Sequence, residues 1–110
     1  MIEEIIQNYL RENAFPCYLS VPEKPSGNFC VLEKTGSSYK DGIFTATLAV
    51  QSYGRSDYAA AQLSHRVVQT MLDADTLPEI VSCTLNTDYN FPDTTRKLPR
   101  YQAVFEVVHY

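Results

Sequence analysis

The stretch over residues 43–72 constrains the fold more than any other part of the chain. It sets a period-two strand directly against an amphipathic helix, with a short hinge between them. In Ile43–Tyr53 the even positions Phe44, Ala46, Leu48 and Val50 are apolar, while Thr45, Thr47 and Gln51 are polar or β-branched. That alternation places one face on a core and the other toward solvent or a partner. Gly54 and Arg55 break the strand, and Ser56 with Asp57 opens a helix over 57–72 with Ser56 as N-cap. Ala60, Leu63, Val67 and Met71 form the helix's apolar stripe, widened by Val68 and Leu72. Gln62, His65, Arg66 and Gln69 cover its outer side. The run Ala59-Ala60-Ala61 makes the first turn thin enough to sit close against a sheet or a neighbouring subunit.

The remaining elements follow from the same two periodicities. Ile2, Ile5, Ile6, Tyr9 and Leu10 share one face of a helix over Ile2–Glu12. Glu3 and Glu4 favour the positive end of its dipole and Arg11 the negative end. Asn13 is expected to take the left-handed exit, and Pro16 bars continuation. Residues 17–21 read as a short extended segment, 22–28 as a loop and 29–35 as a strand. A polar loop over 36–42 then leads into the strand at Ile43, as a long hairpin. A strand over 79–89 is expected to place Val81, Cys83, Leu85 and Tyr89 on one face. A second polar loop spans 90–99. The last strand, 101–109, puts Tyr101, Ala103, Phe105 and Val107 on one face, with Gln102 and Glu106 on the other. No Gly or Pro interrupts it, which suits a protected or central position. The order predicts an α+β fold: one mostly antiparallel β-sheet packed with two α-helices, α-β-β-β-α-β-β.

A chain of 110 residues makes one domain, 1–110, the natural expectation. It is long enough to bury a core without metal or disulfide staples. Cys17, Cys30 and Cys83 are an odd number with no C-x-x-C spacing, so they read as free thiols filling apolar space. The net charge of −4 argues against sequence-independent nucleic-acid binding, which needs a basic surface. Arg96, Lys97 and Arg100 are the densest cations, and they read as a solvated loop. No run approaches the roughly 20 apolar residues that cross a bilayer, and no secretory leader is visible at the start. The expected site is the cytoplasm, unless the protein leaves it within a larger particle.

Residues that carry chemistry elsewhere are scattered here. His65 and His109 lack a Ser or Cys partner in any recognisable motif, and their plain account is an idle surface group. Asp73 with Asp75, and Asp88 with Asp93, flank turns. The second pair lacks the acidic alternation and closing Glu of a calcium loop, and Asp favours turns for backbone reasons. Four dispersed glycines make no phosphate cradle. No catalytic, cofactor-binding or metal-ligating residue is assigned, no cofactor is expected, and the chain reads as a non-enzyme.

The layout and the segment VQSYGRSDYAAAQLSHRV, residues 50–67, resemble the small minor capsid and tail-terminator proteins of long-tailed phages and prophages. The likeness in layout covers nearly the whole chain, through to a terminal strand pair ending at Tyr110. The resemblance implies a virion structural protein of the tail or neck, assembled in the bacterial host. It implies a homo-oligomer, commonly a hexameric ring, that caps the tail tube, contacts the tube protein and offers a head-tail joining surface to the head connector. It implies no catalysis, no membrane and no sequence-specific nucleic-acid contact, with DNA passing through the lumen. An acidic subunit suits that passage, because few phosphates are neutralised. No site residue carries over, since the family lacks a short binding signature. Two other readings stand beside it: a head-completion or neck protein of the same virion, and a small cytoplasmic module that binds one protein partner through its sheet.

Overall fold

The computed structural model describes residues 1–110. The chain folds as α1 (Ile2–Glu12), β1 (Cys17–Tyr18), β2 (Phe29–Lys40), β3 (Ile43–Tyr53), α2 (Asp57–Met71), a 3₁₀ turn (Ala74–Thr76), β4 (Ile80–Asn90) and β5 (Arg100–His109). The five strands form one sheet in the order β1-β2-β3-β5-β4. Every pairing is antiparallel except the short β1–β2 contact. This is the expected α+β class. β3 and β5 hold the interior of the sheet, as the uninterrupted terminal strand suggested.

Both helices pack on the same sheet face. Leu32 of β2, Ala46, Leu48 and Val50 of β3, and Ala103, Phe105 and Val107 of β5 supply the sheet side of the core. Ile2, Ile6, Tyr9 and Leu10 of α1 and Leu63, Val67 and Met71 of α2 close it. Ile6 and Leu10 are fully buried, and each contributes on the order of 2 kcal/mol by leaving water. Tyr9 joins the two helices: its phenol donates to the Thr70 carbonyl at 2.7 Å. The opposite sheet face carries no helix. Loops cover only one end of it, where Val21 and Leu98 pack on Phe29, Val31 and Tyr53.

The polar loop expected over 36–42 is strand instead. Gly36 to Lys40 continue β2 and pair with β3 as far as Lys40 opposite Ile43. The turn shrinks to Asp41 and Gly42, at φ 55° and 82°, the left-handed pair a two-residue hairpin needs. The Gly-Ser-Ser run has weak strand propensity, and continuous pairing with β3 overrides it. A bulge between Lys34 and Gly36 absorbs the mismatch. At about 3.3 Å per residue, β2 spans roughly 40 Å. That is nearly the whole 43 Å length of a body only 24 Å across, so the hairpin end is an arm.

Three smaller expectations also change. Val81 and Tyr89 are exposed rather than on the core face. Register shifts at Ile80/Ser82 and Leu85/Thr87 break the alternation of β4, so Ile80 and Cys83 both point inward and Val81 is turned out. Leu72 is exposed, beyond the end of α2. At the end of α1, Asn13 keeps φ −94° and Ala14 takes the left-handed position at φ 70°. Ala14 N donates to Arg11 O and Phe15 N to Leu10 O, both at 3.0 Å, which together form a Schellman ending. Asn13 serves through its side chain, which donates to Tyr9 O at 2.8 Å.

The β3–α2 hinge is as expected. Ser56 Oγ accepts from Ala59 N at 3.1 Å and caps α2. Gly54 lies so close to α2 that a Cβ built there would stand 2.4 Å from Ala60 N.

Two substitutions test these backbone features by urea unfolding. Gly54→Ala is expected to destabilise by about 2–3 kcal/mol, because helix backbone cannot yield to the added carbon. Ala14→Gly is expected to stabilise by about 0.5–1 kcal/mol, since glycine removes the left-handed penalty at some cost in unfolded-chain entropy. A loss of stability at Ala14→Gly would refute the second assignment.

Candidate assembly surface

The arm ends in exposed apolar side chains. Tyr39, Ile43 and Phe44 are all exposed there, and Tyr39 packs on Phe44 at 4.6 Å between ring centroids. Phe44 in turn stacks on the His109 ring at 5.3 Å and 11°. The strand parity that buries Ala46 and Leu48 brings Phe44 to the helix side of the sheet, beyond the reach of the core. Phe44, Ala46, His109 and Tyr110 form one wall of a groove of about 320 Å³, with Met1, Ile2 and Ile5 of α1 across from them. Lys34 and Glu3 meet across the same region at 3.7 Å. An apolar groove flanked by an exposed aromatic arm suits protein–protein contact.

The opposite end of the sheet is held by a buried polar knot. Residues 91–97 are an exposed loop as expected, apart from Asp93, which is buried and ties the loop to the sheet. Asp93 and Leu98 bridge through reciprocal backbone hydrogen bonds of 3.0 and 3.1 Å. The Asp93 carboxylate, 5% exposed, accepts from Tyr53 Oη at 3.0 Å and from the Arg96 backbone N–H and guanidinium at 3.1 Å each. Arg100 Nη1 donates to Tyr53 Oη at 3.1 Å and lies 3.8 Å from Asp93. Its Nε donates to Phe91 O at 2.7 Å, and the guanidinium lies over the Phe91 ring at 4.5 Å. The turn reading of Asp93 therefore holds, since its carboxylate accepts the N–H three residues on, but Arg100 is an anchor rather than a solvated cation. Burial pushes the Asp93 carboxyl up; the Arg96 and Tyr53 hydrogen bonds and the Arg100 charge outweigh that and hold it below its ordinary value. Burial raises the Tyr53 phenol, and the Arg100 hydrogen bond offsets part of the rise.

The helix-free face between these ends is a polar ladder. Thr47 donates to Glu106 at 3.1 Å and Gln51 to Gln102 at 2.9 Å, and Gln102 donates on to Tyr89. These pairs sit on adjacent strands and bridge β3, β5 and β4.

The residues singled out for chemistry do not meet. His65 is exposed on α2 in a shallow depression with Tyr58, Ala61, Gln62 and Arg66. His109 lies at the arm, with Nδ1 3.1 Å from Tyr110 O. Asp73 is exposed just before the 3₁₀ turn and Asp75 within it, and Asp88 is exposed on β4 while Asp93 is buried in the knot. No three His, Cys, Asp or Glu side chains converge as a metal site would require. No helix is long and apolar enough to cross a membrane. The three cysteines are free and buried. Burial pushes Cys17 up to about 11 and Cys30 and Cys83 up to about 12, so thiolate is scarce at neutral pH. The Asp93–Tyr53–Arg100 knot was not legible in advance, because its members lie up to 47 residues apart. The arm was legible in part: Asp41-Gly42 between strand-forming runs is a hairpin signal.

No protein-family model matches the chain, and no curated protein matches it.

Acid should weaken the knot. A carboxyl depressed by folding contributes stability above its unfolded value of 3.8, and that contribution is lost as pH falls through the lower folded value. Asp93→Ala is expected to cost about 3 kcal/mol at neutral pH, by stranding Arg100 and the Tyr53 phenol. Urea unfolding from neutral pH to pH 3 should show the gap between wild type and Asp93→Ala narrowing toward the acid end. A gap independent of pH would remove the ionised carboxylate from the account.

Proposed function

We propose that this protein is a structural subunit of a long-tailed phage or prophage virion, a tail terminator that closes the tail tube as a ring. The observation that carries the reading is the arm. Tyr39, Ile43 and Phe44 are exposed at the end of a hairpin, and Phe44 lines the apolar groove beside it. A monomeric domain has little reason to extend a strand beyond its own core to expose aromatics, whereas a subunit that meets copies of itself does. The resemblance of residues 50–67 and of the element order to the tail-terminator group gives the reading its biological content. The net charge of −4 agrees with a lumen that lets DNA pass without adhering.

In this reading the subunit joins its own copies, commonly six, and touches the tube protein on one side and the head connector on the other. The helix-free face gives the second reading its specific observation. Its Thr47–Glu106 and Gln102–Tyr89 pairs, half-buried to exposed, are a polar surface that one protein partner could cover.

Electron microscopy of purified tail tubes incubated with the protein separates the readings. Rings on one end of each tube, with tube length fixed, are the expected result. Rings at the head portal instead would assign a head-completion role. Bare tube ends with a one-to-one complex elsewhere would favour the binding module and sink the terminator.

A further inference from the structure

The charge of the molecule is divided along its length. The loops at the end of β3 and the start of β5 meet, and Gly54 N donates to Pro99 O at 3.2 Å. A side chain at Gly27 would reach Arg55 Nη2 at 4.0 Å, so the loop over residues 22–28 joins the same end. Lys24, Arg55, Arg96 and Lys97 are exposed there. With Arg100 they share this end with Glu23, Asp57, Asp88 and Asp93, which leaves it positive by a single charge. At the other end, α2 finishes, the 3₁₀ turn follows, and β4 begins with Ile80 opposite His109. Glu4, Asp73, Asp75 and Glu79 are exposed there, with Glu3 and Asp41, against Lys34 and Lys40. This end is negative.

The ion pairs within the chain are Lys34–Glu3, Arg96–Asp93 and Arg100–Asp93. Lys24, Arg55 and Lys97 therefore have no carboxylate partner, and neither do Glu4, Asp73, Asp75 and Glu79 a cation. Each end also holds an exposed apolar residue among its charges: Phe91 beside the knot, and Leu72 with the bulge-turned Val81 on the acidic side. An apolar centre with a charged rim is the anatomy of a specific interface.

We propose that the basic end of one copy docks on the acidic end of a second copy. The inference deepens the ring reading and rests on it: two different patches of one surface meet, which is the heterologous contact that closes into a ring when the rotation allows. Arg55 and Lys97 oppose Asp75 and Glu79 in this contact. Opposite charges steer the two ends together and like ends are held apart, so the polarity of the ring is set by charge.

The test uses the full chain in sedimentation velocity over a wide concentration range. Wild type is expected to associate, and less so at 1 M salt, where the screening length falls to about 3 Å from about 10 Å at 0.1 M. Arg55→Glu with Lys97→Glu, and separately Asp75→Lys with Glu79→Lys, are each expected to weaken association roughly tenfold or more. Both are surface changes, and circular dichroism melts should match wild type. A mixture of the two variants should associate again, since each presents the charge the other lacks. Association untouched by either reversal, no recovery on mixing, or a wild type monomeric at every concentration overturns the proposal. The same variants are applied to tail tubes. Unaltered rings from both variants sink the docking surface alone, whereas wild type leaving tube ends bare sinks the terminator reading itself.

Discussion

Everything in this fold depends on β3 being paired along both edges while only one of its faces is packed by helices. β2 lies on one side of it and β5 on the other, in registers that run nearly its whole length. Because strand side chains alternate, a slip of one residue would send Ala46, Leu48 and Val50 out to the polar ladder and bring Thr47 and Gln51 into the core. The register is thus defended by burial on one side and by hydrogen-bonded side chains on the other. The same strand runs at once into Gly54 and α2. The close approach at Gly54 fixes where the helix starts, and the Ser56 cap fixes its direction.

From that centre the two ends of the molecule acquire different characters. At one end the strands stop, and the loops that join them have to satisfy their own polar groups. Asp93, Tyr53, Arg96 and Arg100 do so in one network, in which each hydrogen bond lowers the cost of burying the carboxylate. At the other end the β2–β3 hairpin outruns the helices. No core remains for it to cover, so its aromatics pack on one another and on His109 rather than inside. The two ends of the body therefore differ, one closed around a buried carboxylate and the other ending in exposed aromatic side chains.

Sequence reading succeeded where a single periodicity ruled and failed where a contact between distant residues ruled. α1, β3, α2 and β5 were legible because each alternation or stripe spans a whole element. β4 was misread at Val81 and Tyr89, since two register shifts divide its alternation and a bulge leaves no mark in a single strand's pattern. Arg100 looked like part of a solvated cationic run because its partners, Tyr53 and the Phe91 carbonyl, arrive only with the folded sheet.

The amino-acid order alone determined the fold class, the four principal elements, the Ser56 cap and the free state of the cysteines, because hydrophobic period, capping chemistry and residue type act locally. Tertiary structure decided the length of the arm, the burial of Asp93 and the separation of charge between the two ends. Those three depend on which strands become neighbours and where their ends coincide. Pairing energy, shared across the sheet, overrode the weak strand preference of Gly36-Ser37-Ser38 and brought together side chains that no local pattern connects.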